Sequence, residues 1–204
     1  TTDLMVFREG APWFTTASPA GGMQVTNDIS IMLSVLMDSA ERLKREAASC
    51  WTESIDPDEL IVVPGIGGRE PAEIPRRKLS AIVQPRMEEI FLMAREKLEK
   101  AGYLKDIKAG IVLTGGASLM AGARELAESV FGIPAHLGTP PAIGGLENEY
   151  RNPMFATAVG LVLLEADERM ASMTPSRGQA AVRKETARAP NLGKIVSWLK
   201  DKFI

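Results

Sequence analysis

Residues 110–122, GIVLTGGASLMAG, read as a buried strand that stops at two glycines and turns into a helix. Gly115 and Gly116 have no Cβ, so the backbone there can lie close to a ligand. The N–H groups of a following helical turn are free to bind polar or negative groups, and Ser118 is placed to cap that helix. No Gly-Lys-Ser/Thr follows, so this is not a phosphate-binding P-loop, and the spacing is not that of a dinucleotide fingerprint. A second pair lies in AERLKREAA, where Glu41 and Lys44 are three apart and share a helix face. One accepts hydrogen bonds and the other donates. The pair suits a ribose hydroxyl and an adenine edge, and equally an ordinary surface ion pair.

A different chemistry is written at the other end. In residues 192–204, LGKIVSWLKDKFI, the side chains Leu192, Ile195, Val196, Leu199 and Phe203 fall on one helical stripe with Trp198 at its edge. Lys194, Ser197 and Asp201 face away, and Lys200 and Lys202 flank the stripe. That pattern suits a helix lying in a membrane interface. It is too short and too charged to span a bilayer, and a helix packed on its own domain has a similar pattern. Residues 171–190 have almost no large apolar side chains and read as a flexible tether. From Ala171 onward there are seven Lys/Arg against two Asp/Glu, a net +5, which leaves −7 for the rest of a chain whose total is −2. A basic tail on an acidic body suits an anionic surface. Trp198 and Phe203 are its only aromatics and belong to the stripe, which argues for a membrane over nucleic acid.

Composition narrows the remaining classes. The 204 residues are 45% hydrophobic, enough for a real core in one domain with an insertion. With one histidine, His136, and one cysteine, Cys50, histidine-dependent triads and zinc sites are excluded. Cys50 reads as a small buried residue and fits a reducing compartment. There is no apolar run long enough for a transmembrane helix and no signal peptide pattern. The chain opens on Thr1 in a strand-like stretch, from which the N-terminal part of a longer protein is expected to be absent.

These residues must be held by elements. Residues 4–7 and 13–18 predict a hairpin turning at Gly10. Thr26 or Asn27 is expected to cap a helix bearing Ile29, Leu33 and Leu36, with a second helix opening at Asp38. Residues 60–63 and the region of Ile74 predict two short strands. A long helix is expected from about Arg77 to Ala101, with core positions Leu79, Ile82, Val83, Met87, Ile90, Ala94 and Leu98. Pro85 is expected to kink or restart it, and Gly102 to end it. A parallel-type strand at 110–114, a helix from about Leu119 to Phe131, a strand at 133–137 and a helix opening at Asn152-Pro153 complete an α/β pattern. Residues 52–104 look like a β-β-α insertion within it.

Taken together, the chain resembles the C-terminal half of the FtsA family of bacterial actin-like cell-division proteins. The carrying stretches are TTDLMVFREG, GGMQVTNDI, AERLKRE, QPRMEEIF, GIVLTGGASLMAG, NPMFATAVGL and the terminal SWLKDKF. The resemblance implies half of an actin-like (RNase H-like) ATPase fold. Subdomain 2A would comprise residues 1–51 and 107–170, with subdomain 2B inserted at 52–106, a linker at 171–190 and a membrane-targeting helix at 191–204. It implies ATP with magnesium in the intact protein, contacted by Thr1, Thr2, Gly21, Gly22, Glu41, Lys44, Gly115, Gly116, Ser118 and Met120. This half alone is expected to bind nucleotide poorly. The resemblance further implies that Arg86 and Glu89, exposed on the long helix, bind the C-terminal peptide of FtsZ.

The expected function is a filament former that tethers FtsZ to the cytoplasmic face of the plasma membrane at the division septum. Self-polymers, the FtsZ peptide and an anionic membrane are its expected partners, and nucleic acid is not one. No catalytic residue stands out, so at most a weak ATPase is expected. A kinase or pilus-assembly member of the same superfamily is the alternative, and neither has use for a basic amphipathic tail.

Overall fold

The computed structural model describes residues 1–173. The tether and the anchor stripe anticipated from the sequence, including Leu192, Ile195, Val196, Trp198, Leu199 and Phe203, lie outside the described residues. The chain divides into two compact units, residues 1–138 and the part from Thr139 onward.

The first unit opens with strands β1 (Thr2–Arg8) and β2 (Ala11–Ser18), paired antiparallel. The turn residues Glu9 and Gly10 both take positive φ, at 53° and 79°, which suits a two-residue hairpin. Along β1, Thr2, Leu4 and Val6 are half-buried while Asp3, Met5 and Phe7 are exposed, the period-two alternation of a one-sided strand. Helix α1 (Gly22–Leu33) follows, burying Val25, Thr26 and Ile29. It starts five or six residues earlier than the sequence suggested, since its cap is Gly21 and not Thr26 or Asn27. Gly21 is the N-cap, and the Gln24 side chain accepts from the Gly21 N–H at 2.8 Å, so Thr26 is left inside the helix rather than at its cap. Helix α2 is Met37–Ala47.

Strands β3 (Leu60–Val63) and β4 (Ala72–Pro75) pair antiparallel, and β4 runs directly into helix α3 (Arg76–Lys100). Arg76 ties this hairpin down: its Nε donates to the Ala47 carbonyl at 2.6 Å and its Nη1 to both Glu59 oxygens at 2.9 and 3.0 Å. Helix α3 is the spine of the unit and packs against α1, α2 and α4. Leu79, Val83, Met87, Ile90, Ala94 and Leu98 are all buried, and Ile82 is half-buried at the edge of the same face. The helix runs through Pro85 without a new start, and Gly102 follows its end at φ 80°.

Strands β5 (Ile111–Leu113) and β6 (Ala135–Leu137) pair in parallel, with α4 (Ala123–Phe131) between them. The strands form three separate two-stranded sheets among the described residues rather than one central sheet. At three to eight residues the strands are short, and Val112 and Leu137, on opposite faces of the β5–β6 pair, keep 58% and 44% exposure. The second unit contains α5 (Ala156–Met173), entered through a short 3-10 turn at Pro153–Phe155. The Asn152 side chain accepts from the Met154 N–H at 3.0 Å, the cap expected from Asn-Pro.

Candidate nucleotide and partner sites

Three stretches far apart in sequence meet at one corner of the first unit. The first is the loop before α1. Thr2 Oγ1 donates to the Ala20 carbonyl at 2.8 Å, which lays the start of β1 on this loop. A Cβ on Gly21 would stand 2.8 Å from the Thr1 carbonyl oxygen and 2.9 Å from its nitrogen, so only glycine allows the approach. The second stretch is α2, which supplies Glu41 and Lys44. The third is the turn after β5. A Cβ on Gly22 would lie 3.5 Å from Lys44 Nζ and 3.7 Å from Ala117 Cβ, which sets all three stretches side by side.

A clamp behind this corner explains why α2 and the glycine turn are neighbours. The Cys50 N–H donates to the Ala121 carbonyl at 2.7 Å, and Ser49 Oγ donates toward the same oxygen at 3.3 Å. Gly122 is pressed so close to Trp51 that a Cβ would lie 2.5 Å from the Trp51 Cβ. The chain leaving α2 is thereby fixed to the chain entering α4.

Glu41 and Lys44 form the ion pair that their spacing allows, at 2.6 Å. They are not alone. The Lys44 ammonium also donates to Thr26 Oγ1 at 2.9 Å and to the Gly22 carbonyl at 3.1 Å, while Thr26 Oγ1 lies 2.5 Å from the same Glu41 oxygen. Burial pushes the Glu41 carboxyl up, but the hydrogen bonds from Lys44 and Thr26 and the charges of Lys44 and Arg45 outweigh it. The group is held below its ordinary value. Glu41 Oε1 has no hydrogen-bond partner among the described residues, so one oxygen remains for a ligand. Thr26 was offered by the sequence only as a helix cap. Its place on the buried face, one residue from Val25 and three from Ile29, is the signal that could have marked it.

At the glycine turn, Gly115 takes φ 85° and a Cβ there would meet open space. Residues Gly116–Leu119 form a 3-10 turn, and α4 begins only at Ala123 with Gly122 as its cap. Ser118 therefore does not cap a helix. It is buried and donates its hydroxyl back to the Gly115 carbonyl at 2.7 Å, tightening the turn. Met120 is half-buried and packs against the core. The corner thus brings together open space at Gly115 and a Glu41 oxygen without a partner among the described residues. The described residues include no cluster of acids, histidine or cysteine arranged for a metal ion.

Arg86 and Glu89 lie together on α3, and Arg86 Nη1 donates to Glu89 in a very short contact. Arg86 departs from the expected exposed position. Its side chain is 32% exposed and grips Asp28 of α1, with Nε to Oδ2 at 2.6 Å and Nη2 to Oδ1 at 3.2 Å. The hydrogen bond to Asp28, with the charges of Asp28 and Glu89, raises the Arg86 pKa against a smaller effect of burial. Asp28 was missed because its partner lies 58 positions away. A shallow pocket of about 510 Å³, lined by Pro85, Glu88, Glu89, Leu92, Met93 and Glu96, runs beside this pair and shares no residue with the glycine corner. No helix among the described residues is long and apolar enough to cross a membrane.

The fold resembles bacterial actin-like structures. MreB5 of Spiroplasma citri bound to ADP superposes with a TM-score of 0.65 at 17% identity, covering 84% of this chain and 52% of that one. The AMPPNP-bound form of the same protein gives 0.65 over 83% of this chain. In sequence, the family model described as cell division protein FtsA matches residues 1–160. FtsA of Pseudomonas aeruginosa is 38% identical over 203 residues, and that of Neisseria meningitidis 38% over 206. FtsA of Escherichia coli K12 is 31% identical over 212 residues. Each alignment takes in the whole of this chain and 49% of the relative, so the chain spans about half the length of the curated relatives it matches. With a family model covering most of its length and an actin-like fold, the chain belongs to the FtsA family of cell division proteins.

Proposed function

We propose that this chain supplies one wall of an ATP site, and the partner-binding insertion, of an FtsA that tethers FtsZ to the membrane. The observation that carries the reading is the convergence of Thr1–Thr2, Gly21–Gly22, Glu41–Lys44 and the Gly115–Ala117 turn on one corner. Open space at Gly115 and a carboxylate oxygen without a partner, on a carboxylate held by the Lys44 ammonium, suit a nucleoside approaching from one side of a cleft. Gly115 and Gly116 would lie against the base and sugar, and Glu41 would accept from the ribose. Ser118 would hold the turn, and Met120 would back it. Magnesium would arrive with the triphosphate. Residues 1–51 and 107–170 would act as subdomain 2A and residues 52–106 as 2B.

Arg86 and Glu89 would receive the FtsZ C-terminal peptide, since a guanidinium on a half-exposed helix face pairs well with peptide carboxylates. Residues 191–204 would hold the filament on the cytoplasmic leaflet at the septum, with residues 171–190 as the leash. A single short amphipathic anchor binds weakly and reversibly. A filament presents many at once, and linked sites raise avidity by about 10² to 10⁴.

The test is recruitment of fluorescent FtsZ to anionic liposomes by a full-length FtsA carrying these residues. Wild type should bring FtsZ to the vesicles in the presence of ATP. Trp198→Glu with Leu199→Glu should release FtsA and FtsZ together, whereas Arg86→Glu should leave FtsA bound and lose FtsZ. Continued pelleting of the double-glutamate protein would place the anchor elsewhere.

A further inference from the structure

We infer that Thr26 is a positioning residue of the nucleotide site, and that its hydroxyl sets how strongly the site distinguishes ribose from deoxyribose. This rests on the ATP reading above and adds a residue to it. Thr26 is 1% exposed, so no water can replace a hydroxyl lost there. Its oxygen lies 2.5 Å from Glu41 Oε2, 2.9 Å from Lys44 Nζ and 3.0 Å from the Gly22 carbonyl. One hydroxyl has one proton, and the ionised carboxylate is the stronger acceptor as well as the nearer one. Thr26 therefore donates to Glu41 and accepts from Lys44, bracing their direct 2.6 Å pair.

The consequence falls on Glu41. Its side chain is 40% exposed and would otherwise swing freely. With Oε2 held by both Thr26 and Lys44, the carboxylate is restrained and Oε1 is left without a partner among the described residues. A restrained acceptor favours a donor at a fixed place, which is what a ribose hydroxyl offers and a 2′-deoxyribose offers less of. Lys44 alone, a flexible point charge, would hold the carboxylate near without setting its orientation.

The experiment compares ATP and 2′-deoxy-ATP affinities in a full-length FtsA carrying these residues, as wild type, Thr26→Val, Thr26→Ser and Glu41→Gln. Wild type should prefer ATP. Thr26→Val should weaken ATP about tenfold and deoxy-ATP much less, so that the preference collapses. Thr26→Ser loses only a methyl and should keep the preference. It also decides the matter if the valine protein does not fold, because a folded serine variant without preference overturns the inference. So does a valine variant that keeps the wild-type ratio while Glu41→Gln abolishes it; the ATP reading then stands without Thr26. If Glu41→Gln changes neither affinity, the ribose reading falls and the inference with it.

Discussion

Arg86 of α3 and Asp28 of α1 are joined by two parallel hydrogen bonds, at 2.6 and 3.2 Å, although 58 positions separate them. The pair ties helix α3 to helix α1, which begins at the glycine corner. Arg86→Ala should therefore destabilise the protein by about 1–2 kcal/mol, the value of a charge-assisted bond discounted for partial exposure. The sequence alone suggests the opposite, an exposed arginine whose loss leaves stability intact. Glu89→Gln should cost almost nothing, because that carboxylate is 53% exposed. Urea unfolding of both variants separates the two, and Glu89→Gln is then the cleaner probe of FtsZ peptide binding.

Gly21 and Gly115 should resist alanine for different reasons. At Gly21 the new Cβ would sit 2.8 Å from backbone of Thr1, which must shift. Overpacking of that kind costs about 1–3 kcal/mol. At Gly115 there is open space, but φ 85° with ψ 167° is backbone that essentially only glycine adopts, so a side chain costs about 1–3 kcal/mol through strain rather than through a clash. Both alanines should lower the thermal midpoint, and an unchanged midpoint for Gly21→Ala would contradict the close approach at Gly21.

Glu41 makes the corner sensitive to acid. Its pKa is depressed below the ordinary 4.5, so its pairing stabilises the folded state above that value and is lost as pH falls through the folded pKa. Stability measured from pH 7 down to about pH 3 should therefore drop more in wild type than in Glu41→Gln. Parallel curves would show that the Thr26–Lys44 pairing contributes nothing to the folded state.

The only cysteine should be silent. Burial, with a smaller contribution from Glu125, pushes the Cys50 thiol up to about 12. A thiol of that kind is inert toward disulfide reagents. Native protein should show no fast labelling, and one equivalent should appear on denaturation.

Much of this was legible in the sequence for a physical reason. Local patterns write local structure: the Glu41–Lys44 spacing, the Asn152-Pro153 start, the Gly102 stop and the apolar period of α3 each appear in the structure. The two glycines also sit at the turn their sequence indicated, with Gly115 at positive φ. What escaped was tertiary. Thr26 looked like a cap because threonine favours that position, but the Gln24 back-bond to Gly21 starts α1 earlier and buries it. Ser118 looked like a cap as well, and the 3-10 turn at Gly116–Leu119 uses its hydroxyl internally. Asp28 gave no local sign of its distant partner.

The proposed nucleotide site stands or falls with the Gly115–Ala117 turn. The most direct measurement is ATP affinity of a full-length FtsA carrying these residues, compared with its Gly116→Val variant. If adenosine lies on this turn, a valine side chain at Gly116 obstructs it and should raise Kd tenfold or more, about 1.4 kcal/mol, while circular dichroism reports that the variant is folded. Unchanged ATP affinity in a folded Gly116→Val protein would contradict the assignment of this corner to nucleotide.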